Sequence, residues 1–216
     1  MSIGNRQIGW SNESNLLWEI GKKLERLIQV AGPAPVPPVP PALILTFASA
    51  FPVVDPNDVS LWNTKLGSTF TSVSISGFVA RLSGGSPFNM IANGLLFSDL
   101  ISIDDQASSV LSIDSYGLAA NQGLNTIKLP VLTAINGDQN FLGSGQTGGD
   151  VILYIPLCAS IGATVGLDYV FSSAFAVSGQ TVTLTIPASR MTCNGGLPDG
   201  DIQYLQAGNT VVIVTT

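Results

Sequence analysis

The sequence predicts a mostly β protein: a short N-terminal helix, a proline-rich spacer, and a β-rich body ending in a parallel β solenoid. Three observations carry this. A helical a/d periodicity occurs only near the N-terminus, and six of the 13 prolines fall between Ala31 and Pro41. Further on, strand-like segments ending in Leu-Pro or Ile-Pro recur at spacings of 26 and 31 residues. The expected organisation is a helix over 1–31, a spacer over 32–41, a β-rich segment with a short helix over 42–98, and the solenoid with a C-terminal cap over 99–216.

The helix reads from Ser11 to Val30. Ser11 is the candidate N-cap, Glu13 sits in the first turn, and Lys22, Lys23 and Arg26 lie toward the end where the dipole favours cations. Leu17, Ile20, Leu24 and Leu27 form an a/d seam that Leu16 and Ile28 widen. An isolated helix of about 20 residues is marginal in water, so the seam calls for copies of itself or another protein. The competing reading, packing on its own globular body, is disfavoured by the run A-G-P-A-P-V-P-P-V-P-P that follows. Such a run favours polyproline II and reaches up to about 30 Å. No basic residue flanks it closely, which argues against an SH3 ligand.

Charge divides at the spacer. Four basic residues and three glutamates precede it, a net +1; four basic residues and eleven aspartates follow, a net −7. The whole chain of 216 residues carries only 10% charged residues, against about 25% in ordinary globular domains. Eight Lys plus Arg at a net charge of −6 cannot line a phosphate-neutralising surface, so no nucleic acid partner is expected. The absence of histidine removes Ser-His-Asp and Cys-His nucleophiles and His-ligated zinc. Two cysteines, Cys158 and Cys193, are too few for a disulfide framework or a four-cysteine metal site; two buried thiols or a single bridge fit. Neither cofactor, metal ligand set nor catalytic residue is read, and the chain is expected not to be an enzyme. Leu27–Val54 lacks charge, but its prolines break any helix, so no membrane span is expected. The polar Met1–Asn15 stretch does not read as a secretory signal.

The body opens with an apolar strand, Leu43–Phe47. Asp55-Pro56-Asn57-Asp58 supplies an N-cap, an N1 proline and an N3 carboxylate for a short helix through Trp62 to about Lys65. Phe70–Ser76 alternates as F-T-S-V-S-I-S, and Gly77 separates it from Phe78–Leu82, which predicts a hairpin.

The repeat aligns L-N-T-I-K-L-P (Leu124–Pro130), V-I-L-Y-I-P (Val151–Pro156) and V-T-L-T-I-P (Val182–Pro187). Leu129, Ile155 and Ile186 precede the prolines, and Ile127, Leu153 and Leu184 stand two earlier, one apolar face. Leu132 and Cys158 follow two after the proline, Ile135 and Ile161 five after it. Leu100–Ile103 and Val110–Ile113 read as two degenerate earlier rungs and Val211–Val214 as a closing strand, with Pro198–Asn209 in an atypical cap.

The strings L-N-T-I-K-L-P-V-L-T-A-I-N-G and V-I-L-Y-I-P-L-C-A-S-I-G resemble the BspA-like class of leucine-rich repeats, in which short parallel strands alternate with irregular turns. The opening I-G-W-S-N-E-S-N-L-L-W-E-I-G-K-K-L-E-R-L and the ending T-C-N-G-G-L-P-D-G-D-I-Q-Y-L-Q-A-G-N-T-V-V-I-V resemble structural proteins of bacteriophages infecting Bacteroidetes. The resemblance covers half to two thirds of the chain. This chain departs from the family in its few rungs, its drifting spacing and a glycine insert at Gly143–Gly149. The resemblance implies a leucine-rich-repeat-like solenoid in a virion protein of fibre, spike or vertex type. It further implies a homo-oligomer, with a trimer favoured, held to the capsid or another virion protein through the helix and directed at host cell-surface carbohydrate. A bacterial surface adhesin is the alternative, and a polysaccharide depolymerase a third.

Gly143-Ser144-Gly145-Gln146-Thr147-Gly148 matches G-x-G-x-x-G, but a strand follows it where the dinucleotide fingerprint needs a helix, so it reads as a loop. Asp199-Gly200-Asp201 lacks the remaining ligands of a calcium loop and reads as a turn. Asp104, Asp105 and Asp114 are the carboxylates a glycosidase would need in pairs, yet aspartate at strand ends is ordinary turn chemistry. The outward positions of the three rungs are Thr126 and Lys128, Ile152 and Tyr154, Thr183 and Thr185. One aromatic, one cation and several hydroxyls in a strip suit a sugar; an ordinary solvated sheet face is the competing reading.

Overall fold

Helix α1 spans Asn12–Ala31, and the Ser11 Oγ accepts the Ser14 N–H at 3.3 Å, the cap its sequence calls for. Lys22 Nζ lies 4.3 Å from the centroid of the Trp18 ring, a cation–π contact one turn apart. The computed structural model describes residues 11–31, 38–91, 99–113, 123–136, 150–161 and 180–216. The residues divide into two compact units, Met1–Val39 and Pro40–Thr216. Most of the spacer, the Gly143–Gly149 insert and Asp114 lie outside the described residues.

Among the described residues the architecture is mixed α/β with mostly strands. In chain order the second unit contains β1 (Leu43–Phe47), α2 (Val59–Leu66), β2 (Ser72–Ser76), β3 (Val79–Ser83), β4 (Phe88–Met90), β5 (Leu100–Asp105), β6 (Val110–Ile113) and β7 (Thr126–Lys128). It continues with β8 (Ala134–Ile135), β9 (Val151–Tyr154), β10 (Ser160–Ile161), β11 (Thr181–Ile186), α3 (Gly200–Gly208) and β12 (Thr210–Thr215). An eight-stranded sheet has the order β12-β11-β9-β7-β5-β1-β3-β2, and a four-stranded sheet the order β10-β8-β6-β4. From β5 to β12 the large sheet is parallel; β1, β3 and β2 are antiparallel to their neighbours. The small sheet is wholly parallel. The segments before and after residue 98 therefore share one sheet.

The expected inward face is the core. Ile103, Ile127, Leu153 and Leu184 stand in direct register on four successive parallel strands and are buried. Leu129, Ile155 and Ile186 are equally buried, as are Leu132, Cys158 and Ile135. Each such side chain contributes about 1.5–3 kcal/mol by leaving water.

The recurring proline has a local cause. Leu132 N–H bonds the Leu129 carbonyl at 3.2 Å and Cys158 N–H the Ile155 carbonyl at 3.1 Å, each a β-turn with Pro130 or Pro156 at its second position. These turns join a strand of the large sheet to one of the small sheet. Beyond them the backbone forms a ladder from one repeat to the next: Thr133 N–H bonds Leu111 O at 2.8 Å, and Ala159 N–H bonds Thr133 O at 3.1 Å. Arg190 ends this ladder, its Nη1 donating to Ala159 O at 2.9 Å. A guanidinium thus stands where the next repeat's amide would be, and it is ion-paired with the buried Asp199.

Four sequence expectations change. Leu100–Ile103 and Val110–Ile113 are not two rungs: β5 and β6 belong to different sheets and are two sides of one turn of the chain. The corner between them is made by Asp105, whose carboxylate accepts from Ser109 N–H (2.7 Å), Val110 N–H (2.8 Å) and Ser109 Oγ (2.9 Å). The short helix is capped by Asp58, not Asp55: Asp58 Oδ1 accepts the Ser60 N–H at 2.8 Å. Asp55 instead closes a preceding turn through Asn57 N–H at 3.0 Å and Asp58 N–H at 3.2 Å. Asp199-Gly200-Asp201 is not merely a turn, because Asp199 O accepts the Gln203 N–H at 3.0 Å and Gly200 opens α3. The thiols form neither a bridge nor a buried pair: Cys158 is buried, Cys193 exposed, and neither is in a disulfide.

Helix α2 closes the end of the core beside β1. Trp62 is fully buried, donates Nε1–H to Pro56 O at 2.9 Å, and lies 5.9 Å from the rings of both Phe47 and Phe51. Gly67 ends the helix at φ 72°, a left-handed position that suits glycine.

Candidate functional site

The outward positions of the parallel strands fall into two rows because pleating sends alternate side chains to opposite faces. One row runs Asp104, Lys128, Tyr154, Thr185, Val214 on β5, β7, β9, β11 and β12, each residue directly opposite the next. The other runs Ser102, Thr126, Ile152, Thr183, Val212 on the same strands. Adjacent strands lie about 4.8 Å apart, so Asp104 to Thr185 covers roughly 14 Å.

The structure therefore brings Thr126, Lys128, Ile152, Tyr154, Thr183 and Thr185 together on three neighbouring strands. They differ in access. Lys128 is exposed, and Ile152 and Tyr154 are each 40% exposed; Thr126 and Thr183 are intermediate. Thr185 is only 8% exposed, flanked by Tyr154 and Val214, and serves as floor to the row. Sequence reasoning treated Asp104 only as a carboxylate candidate, but register places it directly opposite Lys128. Its Oδ2 accepts from Gln106 Nε2 at 3.1 Å. The I-S-I-D alternation of Ile101–Asp104 carried the signal that Ser102 and Asp104 share these rows.

Chemically, the rows offer an aromatic face, a cation, a carboxylate and hydroxyls on one face of a sheet. Asp104 and Asp105 are not brought together: they point to opposite faces, and Asp105 is buried with its carboxylate bound by three donors. Among the described residues no group of three or more His, Cys, Asp or Glu is arranged to hold a metal ion. In the first unit, Leu17, Ile20, Leu24 and Leu27 are all exposed on α1. No described helix is long and apolar enough to cross a membrane. In comparisons with family models, curated proteins and solved structures, the chain matches none.

Proposed function

We propose that this chain is a virion structural protein of fibre, spike or vertex type, with a leucine-rich-repeat-like solenoid that binds host surface glycans. The observation that carries the reading is the direct opposition of Lys128 and Tyr154, with Asp104 and Thr185 completing the row. A tyrosine ring packs on the apolar face of a sugar while neighbouring charges and hydroxyls meet its hydroxyls. The repeat converts one outward position into a row, since inward positions are committed to the core. Single contacts of this kind are weak, and several copies held together multiply them by a factor of about 10² or more. The exposed seam of α1 supplies the means, joining copies as a trimer or docking on another virion protein.

Tyr154→Ala combined with Lys128→Ala is expected to reduce adsorption of particles to host cells while leaving the melting temperature nearly unchanged. Unaltered adsorption would refute the glycan strip. Saturable binding to the host polysaccharide without shortening it separates this reading from a depolymerase.

A further inference from the structure

Strand β12 is the last in the order of the large sheet, and among the described residues it pairs on one side only, with β11. Its sequence, T-V-V-I-V-T, contains no charge and no proline, so it lacks the devices by which sheet edges avoid new partners. Its hydrogen bonds show which backbone groups are committed. Thr210 N–H bonds Gln180 O at 2.9 Å, Thr216 N–H bonds Ile186 O, and Ala188 N–H bonds Thr216 O, both at 3.1 Å. In a parallel ladder alternate residues bond the same neighbour, so the even-numbered residues of β12 face β11. Val211, Ile213 and Thr215 therefore direct their N–H and C=O groups to the open edge. The outward side chains there are apolar and exposed, Val212 48% and Val214 47%, and Ile152 and Tyr154 extend the same surface inward from the edge.

We propose that β12 pairs antiparallel with β12 of a second copy of this chain, about a twofold axis through Ile213. Only odd-numbered residues have groups free for the edge, so odd must face odd. Centring on Ile213 opposes Ile213 to itself and Val211 to Thr215 twice, giving three exchanging pairs and six hydrogen bonds within the strand. Centring on Val212 opposes only Val211 and Ile213, with four. In the Ile213 register each Val212 meets a Val214 of the second copy on the outer face, at a non-hydrogen-bonded position where Cα atoms approach to about 4.5 Å. A twofold interface must be complementary to itself. A valine-on-valine strand without charge meets that condition, neither repelling its own copy nor offering a charge to select a different partner.

The pairing is independent of the α1 seam, and the test separates them. In full-length chains carrying Cys193→Ser, Val212→Cys and Val214→Cys are made in separate chains, mixed, allowed to exchange and oxidised. A disulfide-linked dimer is expected from the mixture and not from either chain alone. Absence of the cross-link in the mixture, or efficient cross-linking of Val212→Cys alone, would overturn the proposal. As a second measurement, full-length chain with Ile20→Asp and Leu24→Asp to silence the seam is expected to sediment as a dimer. Adding Val212→Lys and Val214→Lys should convert it to a monomer with the same circular dichroism spectrum and a melting temperature that no longer depends on protein concentration. A monomer before the lysines are added, or a dimer after, would equally overturn it.

Discussion

Replacing Asp105 with alanine tests whether one carboxylate holds the corner between the two sheets. The side chain is 1% exposed and accepts from two backbone N–H groups, of Ser109 and Val110, that are themselves buried. Leaving a buried donor without an acceptor costs about 1–3 kcal/mol, and the Ser109 hydroxyl, able to rotate elsewhere, adds little. The expected loss is about 3–5 kcal/mol for Asp105→Ala and about 1–2 kcal/mol for Asp105→Asn, which keeps one acceptor oxygen. For a unit of this size that corresponds to a fall of about 6–20 °C in melting temperature for the alanine variant. Asp104→Ala is the internal control: next in sequence but on the opposite face, it should change stability by less than about 0.5 kcal/mol. The assay is thermal and urea unfolding followed by circular dichroism. If Asp105→Ala melts within 2 °C of the parent, or Asp104→Ala falls as far, the corner is not held by this carboxylate and the reasoning fails.

Two further outcomes follow from polar groups at element ends. Arg190→Ala should destabilise the body by about 3–5 kcal/mol in urea unfolding, because Asp199 is left charged and buried; Arg190→Met with Asp199→Leu should recover most of that loss. The Asp58 carboxyl is held below its usual pKa, first by the side-chain hydrogen bond from Ser60 and then by the Ser60 N–H. A depressed carboxylate stabilises the folded state fully above its unfolded pKa of about 3.9 and loses that contribution as pH falls through the lower folded value. Asp58→Asn should therefore flatten the acid side of the stability profile, and an unchanged profile would contradict the cap.

The parts of the fold that were legible are those set by local sequence. Ile127 and Leu153 could be aligned by their distance to a proline because Pro130 and Pro156 take the second position of a β-turn that fixes the strand before it; Leu184 shares the spacing, but Pro187 leads into a short 3-10 helix over Ala188–Met191. The same logic located β1, the β2–β3 hairpin and β12. What escaped depends on groups that meet only after folding. Asp105 occupies the inward position that Leu129, Ile155 and Ile186 fill in later strands, so its corner did not look like the others, and one turn of the chain read as two. Pro198–Asn209 reads as a cap from its place after the last repeat, but that Arg190 and Asp199 form the pair ending the ladder depends on side chains that meet only in the fold. Asp55 and Asp58 both carry helix-start signals; the turn closed by Asp55 decides between them. On the outer face, alternation identified the outward residues, whereas the burial of Thr185 depends on neighbours from two other strands.

The returns from the small sheet to the large one differ in length: 9 residues from β4 to β5, 12 from β6 to β7, 15 from β8 to β9 and 19 from β10 to β11. The strands they lead into nevertheless stand in uninterrupted register. The register of the parallel rows is thus set by the strands and not by the length of sequence between them: separations of 9 to 19 residues lead into the same alignment of Ile103, Ile127, Leu153 and Leu184.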